Sequence, residues 1–217
     1  MVSKFSTILK KRESGITLIE IIVVIFITMM FSLILISDFP KIQKQYALSS
    51  ATYKLSQDFR KTEDLGLSGI KLNDVNGKQI FVKGYGIYIS SNSKQYKIYA
   101  DIATLDNPKG NQKFDDTNVA CDKYDINNDQ GDCIMETIDL AGRNPSLKIM
   151  SIDTIENNNS HTNFNYISIN FMPPNPIINI DDETSNVYSG IKIILGLVDN
   201  TSTRTVLVNT AGLINVQ

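Results

Sequence analysis

One histidine, His161, and two cysteines, Cys121 and Cys133, are all that 217 residues offer as imidazole or thiolate groups. That scarcity excludes a His-rich zinc centre and any relay in which histidine is the general base, and most familiar hydrolase chemistries go with them. Nor is there an excess of positive charge: 21 Lys and Arg against 23 Asp and Glu leave a net charge of −2. Phosphate recognition rests on clustered cations, so nucleic acid is an unfavoured partner. No internal repeat is visible, and the length fits one ordinary domain plus an appendage. The apolar share, 42% before its 12 glycines are added, is that of a chain able to bury a core.

The apolar residues are unevenly placed. From Ile16 to Ile36 the chain reads ITLIEIIVVIFITMMFSLILI, with Glu20 as its single ionisable group. As a helix this run is about 32 Å long, enough for a hydrocarbon core of about 30 Å. Lys4, Lys10, Lys11 and Arg12 precede it, and positive flanks stay cytoplasmic, so the long C-terminal part is expected to face outward. A secretory signal would be cut after the apolar run at a small-x-small site, which Leu33 to Pro40 do not provide. Instead, Gly15 stands immediately before the run and Glu20 falls five residues after it.

In SGITLIEIIVVI, behind its basic segment, the chain resembles the type IV pilin and type II secretion pseudopilin superfamily. The resemblance implies that a membrane aspartyl prepilin peptidase cuts after Gly15. It also implies that Ile16 becomes the new N-terminus and that Glu20 pairs with the N-terminal ammonium of a neighbouring subunit during filament assembly. Ile16 stands where many members carry Phe, which leaves its N-methylation open. Read physically, a carboxylate in hydrocarbon costs at least a few kcal/mol, so Glu20 needs a partner or a proton. The plain alternative is an incidental Glu in a single-pass anchor.

Beyond the run the helix is expected to continue. Ala47, Ala51, Leu55 and Phe59 recur at every fourth position, with Ile42 and Tyr46 nearby, while Lys44, Lys54, Asp58 and Lys61 lie among the polar residues on other faces. Pro40 predicts a kink or loosening around Ser37 to Phe39 rather than a stop, and Gly66 and Gly69 supply end signals. One helix of about fifty residues results, with a two-helix hairpin as the alternative. From residue 70 the pattern becomes β-rich: runs at 80–82, 84–89, 96–100, 147–155, 166–172, 191–198 and 205–208 read as strands, the second and third forming a hairpin. Asn200-Thr201-Ser202 and Thr210-Ala211-Gly212 are expected turns, and 157–160 and 173–176 loops. GYGIYI, KQYKIYAD and the closing TRTVLVNTAGLINV look like the globular part of H-type minor pseudopilins and fimbrial-T-like minor pilins.

Between these strands lies CDKYDINNDQGDC. Cys121 and Cys133 are expected to face an oxidising compartment and to pair as a disulfide. Asp125, Asn127, Asp129 and Glu136 occupy positions 1, 3, 5 and 12 of a calcium-loop register, although position 6 is Gln130 rather than glycine. Calcium is one reading of that set, and a solvated Asn/Asp turn is the other. Tyr85, Tyr88, Tyr96 and Tyr99 read mainly as core, and His161 as a loop residue at the surface.

The expected fold class is α+β, a pilin fold whose long N-terminal helix packs on an antiparallel β-sheet domain. Its parts are a leader at 1–15, a transmembrane helix at 16–36, an amphipathic continuation at 37–69 and an extracytoplasmic β-rich domain at 70–217. The expected role is that of a non-enzymatic minor pilin or pseudopilin, a structural subunit of a type II secretion pseudopilus or a type IV pilus. Its partners would be other subunits, the prepilin peptidase, the assembly platform and the inner membrane. A single-pass anchored binding domain for adhesion or DNA uptake is the alternative.

Overall fold

The computed structural model describes residues 15–103, 110–115, 119–128, 131–142, 144–155, 164–173, 177–182 and 188–217. A single α-helix, α1 (Leu18–Ser68), opens the described chain, and Pro40 lies inside it without ending it. The chain divides into two compact units, one up to Ile42 and one from Gln43 to Gln217.

Among the described residues of the first unit nothing is buried. Each large apolar side chain from Leu18 to Ile36 is at least 47% exposed. A helix that is apolar all round is stable only in an apolar surrounding. It is long and apolar enough to cross a membrane.

In the second unit the rest of α1 is amphipathic. Its buried residues Leu48, Ala51, Leu55, Phe59, Thr62 and Gly66 follow the three- and four-residue spacing of one helix face. Ala47 is only partly buried, and Ile42 and Tyr46 are exposed, so the packed stripe starts later than the apolar residues suggest. Asp58, expected among the solvated residues, is instead 1% exposed. It sits on the buried stripe because Tyr96 and Lys54 both engage its carboxylate there. The helix ends as Gly69 takes a left-handed φ of +57°, the usual stop geometry.

Eleven strands are described: β1 (Leu72–Asn73), β2 (Gln79–Ile80), β3 (Val82–Ser90), β4 (Gln95–Ile102), β5 (Cys133–Asp139), β6 (Leu147–Thr154), β7 (Tyr166–Met172), β8 (Ile177–Asp181), β9 (Gly190–Leu197), β10 (Thr203–Asn209) and β11 (Ile214–Val216). All named pairings are antiparallel. They form a five-stranded sheet of order β5-β4-β3-β7-β8, a four-stranded sheet of order β11-β10-β9-β6 and the small β1-β2 pair. The α+β class is thus the observed one.

Alternation decides which face is buried. Ile87 and Ile89 on β3, Tyr96 and Ile98 on β4, and Ile167, Ile169 and Phe171 on β7 share one core with Leu48, Leu55 and Phe59 of α1. Ile191, Ile193 and Leu195 of β9 and Val206 and Val208 of β10 join the same cluster from the four-stranded sheet. A smaller cluster, built on Ile80, Tyr85, Ala100, Ile102 and Tyr124, closes one end.

Candidate functional site

At the N-terminal end, residues 15–17 are non-helical and α1 begins at Leu18. The boundary is set by Thr17, whose hydroxyl accepts a hydrogen bond from the Glu20 backbone N–H at 3.3 Å. Thr17-Leu18-Ile19-Glu20 has the spacing of a capping box, Thr at the cap and Glu at the third helical position. That four-residue signal was available in the sequence, where Glu20 drew attention for its distance from Gly15 and as the lone charge in the apolar run. Glu20 therefore lies in the first turn, where the helix N-terminus favours negative charge.

Gly15 is informative through what surrounds it. A Cβ added there would meet nothing within 4 Å, and its φ is not in the left-handed range. The fold does not demand glycine at this position, so any demand for it comes from outside the chain. Ile16, next to it, is 73% exposed. Together the segment offers a non-helical, exposed Gly15–Ile16 bond, then a capped helix, then one carboxylate on an otherwise apolar surface.

The second region is the cysteine loop. Cys121 and Cys133 form a disulfide with a Cα–Cα distance of 4.9 Å. The loop is more than a solvated acidic turn, because Tyr124 is buried in the smaller core cluster. The Val75 N–H also donates to the Tyr124 carbonyl at 3.0 Å, tying the loop to the β1-β2 hairpin.

Of the calcium-register residues, Asp129 lies outside the described residues. The Oδ1 of Asp125 accepts from the backbone N–H and the Nδ2 of Asn127, both at 3.0 Å, and so stabilises its own turn. Glu136 lies on β5, beyond the disulfide, where its Oε2 accepts from Nζ of Lys61 at 2.8 Å; that bond is the main reason its carboxyl sits below the usual range. Among the described residues, no three His, Cys, Asp or Glu side chains come together as a metal ion would require.

Tyr85, Tyr96 and Tyr99 are buried and Tyr88 is half-buried. Burial raises the Tyr85 hydroxyl to about 12, and it donates to the Ile70 carbonyl. His161 lies outside the described residues.

Comparison with known proteins adds one match. The prokaryotic N-terminal methylation motif covers residues 10–36, the segment that holds Gly15, Ile16 and Glu20, while residues 37–217 lie outside it. No curated protein and no solved structure matches the chain. The matched motif is an N-terminal processing signal of the prepilin type, and it is confined to the leader and the apolar run.

Proposed function

We propose that this chain is a minor pilin or pseudopilin, cut by prepilin peptidase after Gly15, held by α1 in the inner membrane and assembled into a type II pseudopilus or type IV pilus. The observation that carries this reading is the coincidence of the methylation motif with an exposed Gly15–Ile16 bond immediately before a capped, all-apolar helix. The helix supplies the surface that neighbouring subunits would cover in a filament, and the β-rich unit faces outward. Glu20 is the group that would receive the Ile16 ammonium of a neighbour, because a carboxylate surrounded by apolar side chains is costly unless paired.

Processing tests the proposal directly. Co-expression with a prepilin peptidase should yield a chain lacking residues 1–15, with Ile16 at its N-terminus by intact mass. Gly15→Val should stay full-length, yet its disulfide and melting temperature should be unchanged, since a side chain at Gly15 meets nothing. A full-length wild-type chain, or a cut beyond Ile36, overturns the reading.

A further inference from the structure

The outer face of the five-stranded sheet carries a second, polar interior. Tyr99 and Asp101 on β4, Ser168 and Asn170 on β7, and Asp132 just before β5 are all buried there, although strand alternation turns Tyr99 and Asp101 away from the main core. Their cover is the segment Gly110–Asp115, part of the long connection from β4 to β5. Phe114 stacks against Tyr88 and Tyr99 with ring centroids 4.7 and 5.1 Å apart. Lys113 bridges to Asp181 of β8 at 2.9 Å, and the Gln112 carbonyl accepts from Asn179 at 3.5 Å.

Two buried carboxyl groups hold the backbone of that segment. Oδ2 of Asp101 accepts the Gln112 N–H at 3.0 Å and the Asn170 amide at 3.3 Å. Oδ2 of Asp132 accepts the Asp115 N–H at 3.0 Å, while its Oδ1 accepts the Ile102 N–H at 3.1 Å. Within the segment Gln112 takes a left-handed φ of +62°, a conformation that a non-glycine residue rarely adopts. Oδ1 of Asp101 is buried and has no hydrogen-bond partner among the described residues.

We propose that the Gly110–Asp115 segment is a pH-released latch, held on the sheet while the Asp101 and Asp132 carboxyls are protonated and freed as they ionise. Burial is the main force raising Asp101 to about 6 and Asp132 to about 8; the N–H bonds oppose it, and the charge of Asp115 adds to the rise in both. The charge of Asp101 also raises Asp132. Raised carboxyl values mean that the folded state binds more protons than the unfolded chain. The contribution is therefore fully present below about pH 4 and is lost as pH rises through about 6 and then about 8.

Among the described residues, the other titratable or charged groups facing this interior are Lys97 of β4, Tyr88 of β3, Tyr166 of β7, Asp181 of β8, and Lys113 and Asp115 on the segment itself. Lys97 lies over the Phe114 ring at 5.1 Å and Lys113 on Asp181. The oxygens of Asp132 and Oδ2 of Asp101 accept N–H donors, which favour the ionised carboxyls and work against the effect of burial.

Amide hydrogen exchange of the full chain in detergent micelles, with EDTA in the pH series and corrected for chemical exchange, tests the latch. Between about pH 5 and pH 9, opening of 110–115 should rise roughly tenfold or more while β9 and β10 stay protected. Asp101→Asn keeps an acceptor for the Gln112 N–H but removes one ionisation, so its pH response should be clearly shallower. Protection that is flat with pH, that follows added calcium at constant pH, or that responds identically in Asp101→Asn overturns the proposal. The wild-type pH series decides even if the variant fails to fold.

Discussion

The hydroxyl of Tyr96 on β4 donates to Oδ2 of Asp58 on α1 at 2.6 Å, with both side chains buried. Apolar packing between a helix face and a sheet face is non-directional, so by itself it tolerates small shifts of one along the other. A single charge-assisted hydrogen bond between them does not, since any slip leaves a buried carboxylate unpaired. Lys54 completes the neutralisation from the partly exposed side.

Tyr96→Phe should therefore destabilise the β-rich unit by about 1–3 kcal/mol, the cost of leaving a buried acceptor without its donor. A double-mutant cycle with Asp58→Asn, followed by urea denaturation, should return a coupling above about 0.5 kcal/mol. Strict additivity of the two changes would show that the bond contributes nothing.

Glu20→Ala should leave membrane insertion intact or ease it, because an apolar residue costs less in lipid. Incorporation into filaments should fall sharply, as the site for a neighbour's Ile16 ammonium is gone. Wild-type levels of the variant in sheared filament fractions would remove Glu20 from the assembly mechanism.

The disulfide closes a loop of about 13 residues, worth roughly 3 kcal/mol in the chain-entropy picture. Because that loop carries buried Tyr124, reduction should also loosen the β1-β2 hairpin held through Val75. Denaturant midpoints with and without reductant measure the loss. Thiol labelling of the unreduced, denatured protein should find neither Cys121 nor Cys133, and full labelling of both contradicts the pairing.

Gly66→Ala tests how closely α1 approaches β7. A Cβ at Gly66 would sit 2.6 Å from the Phe171 carbonyl oxygen and 2.8 Å from its Cβ. Overpacking of that kind costs about 1–3 kcal/mol, against a gain of about 1 kcal/mol in helix propensity. A lower melting temperature is expected, and a higher one would mean that helix and strand stand further apart.

The N-terminal segment was legible because its chemistry is contiguous: basic residues, Gly15, Glu20 and an unbroken apolar run can be read in order. The hairpin of β3 and β4 was equally plain, since GYGIYI and YKIYA alternate. Asp58 was misplaced because its burial depends on Tyr96, 38 residues away, and no local period reports such a partner. Tyr99 and Asp101 hid for a related reason. Their strand face looks outward, and what buries them is an irregular segment around Phe114 with no pattern of its own. β5 and β8 escaped because CIMETID is half exposed and IINID is a short edge strand following prolines.

Every buried residue of α1 lies at or after Leu48. The β-rich unit consequently draws none of its core from the apolar run, and a protease acting between Gln43 and Lys44 would cost it little, since the Lys44–Asp199 ion pair stays with the unit. Such a cut would shed a folded domain with its disulfide and helix-sheet contacts intact. The severed anchor would stay behind, and the shed domain would melt with the same midpoint as the parent.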